Sequence, residues 1–325
     1  MEQLFRVSVI VCAYTEDRWV DMVSAISSLK AQTYAPGEII LTIDHNDQLF
    51  ERAYQQFPDI QVIANRGDRG LSGARNTGIL ASKGDIIAFM DEDAVASSDW
   101  LQRLVEWYKD PSVMGAGGAI EPNWENGRPK WFPQEFDWVV GCTYRGLPEQ
   151  AAAVRNLIGC NMSFRREVFE GIGIFRNGIG RVGTIPVGCE ETEICIRARQ
   201  KWPKQNFIFE PRAKVLHRVP EKRKAFAYFH SRCYGEGISK ALISRFVGAK
   251  DSTHTEWTYT LRTLPRGVIS GLIDFLKGDM SGPRRALTII IGLVITSAGF
   301  IVGKISTSKI DASAVPMLEG SLSKG

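Results

Sequence analysis

Four short apolar runs near the start of this sequence constrain its fold more than any other feature. Helical patterns follow the first run and the third, with apolar residues at three- and four-residue spacing. Runs without polar alternation are typical of parallel strands that are covered on both faces. The order of strand and helix predicts an α/β fold with a mostly parallel, Rossmann-like sheet. The predicted strands are Val7 to Tyr14, Glu38 to Asp44, Ile60 to Asn65 and Asp85 to Asp91.

An acidic triplet, Asp91, Glu92 and Asp93, directly follows the fourth run. Like charges that lie together raise one another's pKa, so a nearby cation would stabilise the triplet. Mg²⁺ and Mn²⁺ prefer oxygen ligands and commonly bind substrate phosphates as well. Taken alone, an acidic triplet is equally compatible with a solvated turn. Asp44 ends the second run, and the carboxyl ends of parallel strands share one edge, so we expect Asp44 and Asp91 to face the same crevice.

Charge and cysteine usage exclude two classes of function. The 325 residues include 40 basic and 36 acidic side chains, and a net charge of +4 is too small to indicate a nucleic-acid partner. The six cysteines show no CxxC spacing and no small secreted framework. They are therefore predicted to be reduced thiols of a cytosolic domain rather than disulfides or zinc ligands.

Two further segments allow two interpretations each. Residues 124 to 144 are rich in aromatic side chains, which predicts either an acceptor-side lobe on the edge of the sheet or plain core. Residues 286 to 303 carry no charge and would span about 27 Å as a helix, close to the roughly 30 Å core of a bilayer. We favour a membrane helix preceded by an interfacial helix through Val268, Leu272 and Phe275. The alternative is a buried C-terminal hairpin.

Four stretches of the chain, in order, resemble the successive motifs of the family 2 glycosyltransferases. They are "VSVIVCAYTE", "EIILTID", "GLSGARNTGILASKGDIIAFMDEDA" and "CEETEICIR", and the resemblance covers roughly residues 7 to 220. It implies the GT-A fold, a nucleotide-diphospho-sugar donor with UDP expected as the nucleotide, transfer with inversion, and Mg²⁺ or Mn²⁺ as the cofactor. The processive members carry a QxxRW motif that this sequence lacks, so a single transfer is expected.

The resemblance also assigns roles to residues of this sequence. The catalytic base would be Glu191, where the family more often has aspartate, and the metal ligands would be Asp93 and His217. A lone histidine is otherwise more often structural. The residues implied in nucleotide binding are Ala13, Tyr14, Glu16, Asp44, Arg75 and Asp91. Those implied at the donor sugar or the acceptor are Gly159, Asn161, Glu190 and Glu193, although Gly159 and Asn161 also fit an ordinary strand turn.

The aromatic segment, the "CEETE" variant and the apolar tail are similar to a subgroup that includes an archaeal glucuronosyltransferase acting on glucosyl-dolichyl phosphate. This similarity implies a lipid-linked or saccharide acceptor and a membrane-associated enzyme with its catalytic domain on the cytoplasmic face. The expected organisation is a GT-A domain over residues 1–225, a helical and interfacial segment over 226–283, a transmembrane helix over 284–305 and a disordered tail over 306–325.

Two other functions remain open from the sequence alone. A sugar nucleotidyltransferase would normally carry a glycine-rich, basic loop after the first strand, and "CAYTEDRW" contains no glycine. A membrane-anchored protein that binds sugar nucleotides without catalysis would not need Glu191 and the acidic triplet.

Overall fold

The computed structural model describes residues 4–176, 188–246 and 258–306. One mixed sheet forms the centre of this described part. Its strands are β1 (Val7–Ala13), β2 (Glu38–Asp44), β3 (Gln61–Asn65), β4 (Ile86–Asp91), β5 (Ala94–Ala96), β6 (Val113–Trp124), β7 (Ala152–Val154), β8 (Asn161–Arg165) and β9 (Asn206–Val219). The strand order is β3-β2-β1-β4-β8-β6-β9-β5, and β7 pairs with β9.

Six helices flank the sheet and its connections. They are α1 (Trp19–Lys30), α2 (Asp47–Gln56), α3 (Leu71–Ala81), α4 (Trp100–Glu106), α5 (Arg166–Ile172) and α6 (Glu190–Lys201). The first strands are buried on both faces, since every residue of β1 is buried, and this agrees with their unbroken apolar sequences. The predicted α/β fold class with a Rossmann-like sheet is confirmed.

The sheet is less parallel than the sequence predicted. β1 to β4 pair in parallel, but β8 is antiparallel to both β4 and β6, and β5 and β7 are antiparallel to β9. A strand that is covered on both faces is apolar whichever way it runs, so its sequence does not reveal its direction. Residues 206–219, predicted as two short strands, form one strand with a register shift between Gly118 and Ile120 of β6. This irregularity lies beside Pro211, which cannot donate a ladder hydrogen bond.

The aromatic segment supplies both core and cavity wall. Phe132 and Phe136 are buried and contact the ring of Phe229. Phe136, Trp138 and Tyr144 also line a cavity that reaches Asp91 and Asp93, called here the central cavity. The segment is therefore core in part, and its role on the acceptor side stays a prediction.

Three further helices pack together on the sheet domain. They are α7 (Phe226–Phe246), α8 (Leu264–Leu276) and α9 (Gly282–Ser306), and a π-helical turn (Tyr259–Thr263) leads into α8. Residues Gly282–Ile305 are long and apolar enough to cross a membrane, with a mean hydropathy of 2.3, and one third of the most apolar stretch is buried. Phe229, Leu264 and Ile289 belong to the same hydrophobic cluster as β1, so these helices share the core of the sheet domain. The predicted disordered tail lies, apart from Ser306, outside the described residues.

Candidate active site

The carboxyl ends of β1, β2 and β3 bring together the side chains predicted to bind the nucleoside. The Asp44 carboxylate accepts hydrogen bonds from Asn65 Nδ2 at 2.6 Å and from the Gly70 backbone N–H at 2.9 Å. Tyr14 is exposed, and its carbonyl accepts a hydrogen bond from Asn46 Nδ2 at 3.2 Å. These two hydrogen bonds hold Asp44 in place at this edge of the sheet.

Ala13 and Glu16 lie at the same edge. Ala13 is the buried last residue of β1, and Glu16 begins a short 3₁₀ turn (Glu16–Arg18). Neither residue lines the central cavity, and the same is true of Tyr14 and Asp44. Of the six residues predicted to bind nucleotide, the cavity wall includes Arg75 and Asp91.

Arg75 connects four parts of the site. It is buried, and its guanidinium lies 2.7 Å from Glu190 Oε1, 3.0 Å from the Gly159 carbonyl and 3.6 Å from Asp91 Oδ1. Burial alone would lower the pKa of Arg75, but the carboxylates of Glu190 and Asp91 outweigh it and the pKa is raised. Arg75 therefore stays charged and fixes α3, β4 and the start of α6 relative to one another.

Asp91, Asp93 and His217 form a cluster in which one ligand atom from each residue lies within 4.8 Å of the others. The pairing of β5 with β9 places Ala94 opposite His217, which explains why a late histidine meets the acidic turn. His217 Nε2 lies 3.2 Å from Asp93 Oδ1. This set of two carboxylates and an imidazole suits a divalent cation such as Mg²⁺ or Mn²⁺.

The surroundings of Asp93 support the same interpretation. Burial would raise the pKa of Asp93, but His217, Arg18 and Arg223 outweigh it and hold the pKa far below its usual range. Its Oδ1 atom is buried and forms no hydrogen bond within the described chain, although His217 Nε2 lies 3.2 Å away. A buried carboxylate oxygen without a partner is costly unless a ligand binds it. The residues present therefore fit a cation at this cluster.

Glu92, the middle residue of the triplet, points elsewhere. It is buried and accepts a hydrogen bond from Arg18 Nη1 at 2.6 Å. Burial is the largest cause that raises the pKa of Glu92 to about 7, and Arg18 opposes it. Arg18 also lies 3.1 Å from Asp93 Oδ2, so one guanidinium holds two of the three carboxylates. This pairing explains how adjacent acids can be buried together.

Glu191 differs from the other acids of the site because its carboxylate has no side-chain partner among the described residues. Helix α6 begins with Glu190, which pairs with Arg75, and Glu191 follows it on the cavity wall. Burial, followed by the charge of Glu190, raises the pKa of Glu191 to about 8. A carboxylate with a pKa near the working pH is suited to general-base catalysis.

Two predicted sugar or acceptor residues do not reach the cavity. Glu193 is fully buried and pairs with Arg176 at 2.7 Å and with Arg197 at 2.8 Å. Asn161 is also fully buried, donates to two backbone carbonyls and accepts a hydrogen bond from the Trp100 indole at 2.7 Å. Both side chains therefore hold the fold together in this structure, because their polar atoms already have protein partners.

Gly159 and Glu190 do line the cavity, but each contacts Arg75. A Cβ atom at Gly159 would lie 3.0 Å from the Arg75 guanidinium. The sequence predicted that the backbone at Gly159 lies close to the donor sugar or the acceptor. In the structure it lies close to the Arg75 side chain.

The cavity has a volume of about 530 Å³ and extends from Asp91 and Asp93 to the C-terminal helices. Helix α7 contributes three charged residues at four-residue spacing that the sequence analysis missed, namely Arg232, Glu236 and Lys240. The Glu236 carboxylate lies 3.7 Å from the Sγ atom of Cys189, the residue directly before α6. Charged residues at every fourth position of this helix were the available signal.

Three comparisons with known proteins agree with this geometry. The family model for glycosyl transferase family 2 matches residues 8–173. The chain is 36% identical over 315 residues to the glucosyl-dolichyl phosphate glucuronosyltransferase of Haloferax volcanii, and the match covers 94% of this chain and 98% of that protein. It is 30% identical over 104 residues to an Escherichia coli enzyme, the UDP-Glc:alpha-D-GlcNAc-diphosphoundecaprenol beta-1,3-glucosyltransferase WfgD, which covers 31% of this chain and 39% of that one.

Among solved structures, the chain is similar to the mannosyltransferase PcManGT from Pyrobaculum calidifontis, whose structure contains GDP-Man and Mn²⁺. The TM-score is 0.60 at 17% identity, and the match covers 92% of this chain and 88% of that one. At this identity the similarity concerns the fold.

Proposed function

Because this chain belongs to glycosyl transferase family 2, we propose that it moves one sugar from a nucleotide-diphospho-sugar to a hydroxyl group of a lipid-linked saccharide. The observation that carries this proposal is Glu191, a carboxylate with a raised pKa and no side-chain partner among the described residues, on the same cavity wall as the Asp91, Asp93 and His217 cluster. Family membership also removes the support for a nucleotidyltransferase or a protein that only binds sugar nucleotides.

The donor would bind along the carboxyl ends of β1, β2 and β4. The nucleoside would lie by Tyr14 and Asp44, and the diphosphate near the cation cluster and Arg75. Asp91, Asp93 and His217 would hold Mg²⁺ or Mn²⁺, which when bound supplies positive charge beside the leaving diphosphate. A UDP-sugar is the expected donor.

The chemistry would be a single displacement. Glu191 takes the proton of the acceptor hydroxyl while that oxygen forms a bond to the anomeric carbon of the donor sugar. The bond between the anomeric carbon and the diphosphate oxygen breaks on the opposite face, so the configuration inverts. The nucleoside diphosphate leaves with the bonding electrons, and Glu191 later releases its proton to water.

The acceptor would occupy the part of the cavity nearest α7. Trp138, Tyr144 and Tyr259 offer aromatic faces to a sugar, while Arg232 and Lys240 offer positive charge to a phosphate. Both curated relatives described above have names that specify a dolichyl phosphate or diphosphoundecaprenol acceptor. We therefore assign a phosphate-bearing, lipid-linked saccharide as the acceptor class, met at a membrane by a catalytic domain on the cytoplasmic face, where sugar nucleotides are available.

The test is an assay of nucleoside diphosphate release from a panel of UDP- and GDP-sugars, with and without a glucosyl polyprenyl phosphate. We expect release that depends on both the acceptor and the divalent cation, and a product whose new linkage is inverted by NMR. Release of nucleoside diphosphate that does not depend on the acceptor would contradict the proposal, as would retention of configuration at the anomeric carbon. Release of pyrophosphate would instead indicate a nucleotidyltransferase.

A further inference from the structure

The apolar helix α9 is in contact with protein along much of its length. A Cβ atom at Gly292 would lie 2.4 Å from the Phe136 ring, and one at Gly299 would lie 2.2 Å from the Tyr234 carbonyl of α7. Further along, a Cβ at Gly303 would lie 2.8 Å from Ala241. A Cβ atom at Gly237 of α7 would lie 2.1 Å from the Thr296 carbonyl, so α7 runs beside α9 for about 10 Å, from Thr296 to Gly303, with the two backbones nearly touching.

The opposite face of α9 is apolar and exposed, and the neighbouring helix α8 shows the same character. Leu287, Val294 and Ile301, at seven-residue spacing, are each more than half exposed. Large exposed apolar residues that are repeated on two adjacent helices indicate a surface that binds a membrane or another protein. The exposed residues of the two helices are Ile269, Leu272, Ile273, Phe275, Leu276, Leu287, Ile290, Val294, Ile301, Val302 and Ile305.

The charged residues of α7 limit how this apolar surface can be oriented in a membrane. Arg232, Glu236 and Lys240 line the catalytic cavity on α7, and packed helices are about 8–10 Å apart. If α9 crossed the bilayer, α7 beside it would lie at hydrocarbon depth, together with these charges and the cavity they border. Charged groups at that depth are strongly unfavourable. A helix that lies in the plane of the membrane and inserts only its exposed face avoids this cost.

Charge on the same segment favours an anionic membrane. Residues 258–306 contain six basic and two acidic side chains. Both acids, Asp274 and Asp279, pair with Arg285 at 2.8 Å. Arg262, Arg266, Lys277, Arg284 and Lys304 are exposed. Basic side chains beside an inserted apolar face are attracted to anionic headgroups.

We propose that α8 and α9 lie flat in one leaflet of an anionic membrane, so that α9 does not cross it. The exposed face reaches the boundary between headgroups and acyl chains. Leu293 and Thr296 of α9 line the catalytic cavity from its inner face, so the cavity lies directly above this boundary. The proposal concerns membrane placement and stands whether or not the transfer reaction assigned above is correct.

Spin labels on the exposed face of α9 test this placement in the full-length protein. Leu287→Cys, Val294→Cys and Ile301→Cys are labelled, bound to vesicles of 70% phosphatidylcholine and 30% phosphatidylglycerol, and measured for depth by oxygen and nickel-chelate accessibility. The six native cysteines are buried and give little background. Leu80→Cys, on an exposed leucine of α3, is the matched control.

We expect the three α9 labels at one shallow depth and the Leu80 label in water. A crossing helix would separate successive labels by about 10 Å of depth, because seven residues rise that far, and this result would overturn the proposal. Three labels in water would equally overturn it.

Protease digestion of the full-length chain without cysteine substitutions is a second test. Tags at both ends should be digested from the same side of sealed cell-derived vesicles. Digestion from opposite sides would show that α9 crosses.

Discussion

Replacing Glu190 with glutamine should move the pH dependence of activity to lower pH. The pKa of Glu191 is raised from 4.5 to about 8, first by burial and then by the charge of Glu190. With a pKa of about 8, roughly a tenth of the molecules carry an ionised Glu191 at pH 7, so kcat/KM should rise about tenfold between pH 7 and pH 9.5. Glu190→Gln removes the second cause and leaves Arg75 without its closest carboxylate. Both changes favour the ionised base, so the midpoint should fall by about one pH unit.

The assay is the initial rate of nucleoside diphosphate release at donor concentrations below KM, from pH 5.5 to 9.5, at constant ionic strength and saturating Mg²⁺. Glu236→Gln is the matched control, because the charge of Glu236 is the weakest of the causes acting on Glu191 and its loss should move the midpoint less. A wild-type profile that is flat from pH 6 to pH 9 would refute the reasoning. An unchanged midpoint in Glu190→Gln would also refute it.

Three further predictions concern the cation, the helix packing and the acceptor. Asp93→Asn should raise the Mg²⁺ or Mn²⁺ activation constant at least about tenfold in protein stripped with EDTA, and full activity in EDTA would exclude the cation. Gly292→Val should lower the free energy of unfolding by about 1–3 kcal/mol, because the new Cβ would lie 2.4 Å from the Phe136 ring. The control Val294→Ala, on the exposed face of α9, should lower it by less than about 0.5 kcal/mol. Equal melting temperatures for the two variants would contradict this packing. Lys240→Ala should raise the acceptor KM several-fold and leave the donor KM unchanged. A change in the donor KM alone would contradict the proposal that Lys240 contacts the acceptor.

The edge of the sheet where we propose that the donor binds could be predicted from the sequence. Strand β2 spans Glu38–Asp44 as expected, and β4 ends at Asp91, so both acids lie at the carboxyl edge. Local apolar runs are enough for this prediction, because the side chain that follows a buried strand must emerge at its end. His217 contacts Asp93 because β9 lies beside the acidic turn, although the two are more than 100 residues apart in the sequence. No local pattern indicates this contact, and the family resemblance alone predicted a role for His217.

The part of the cavity where we propose that the acceptor binds could not be predicted in the same way. Asn161 and Glu193 lie beside functional residues in the sequence, yet their partners include Trp100 and Arg176, which only the folded chain brings close. Helix α7 lies opposite α6 because its small residues pack on α9, and no local pattern specifies that neighbour. Long-range packing, rather than local propensity, therefore decides which side chains line this part of the cavity.

The measurement that most directly tests the assignment of Glu191 as the base is the turnover of Glu191→Gln, together with its donor affinity by calorimetry. Glutamine keeps the size and polarity of the side chain and cannot take a proton. We expect kcat to fall by about 10²-fold or more while the donor Kd stays within a factor of about two. Near-normal turnover with intact donor binding would contradict the account and move the proton transfer to another group of the cavity.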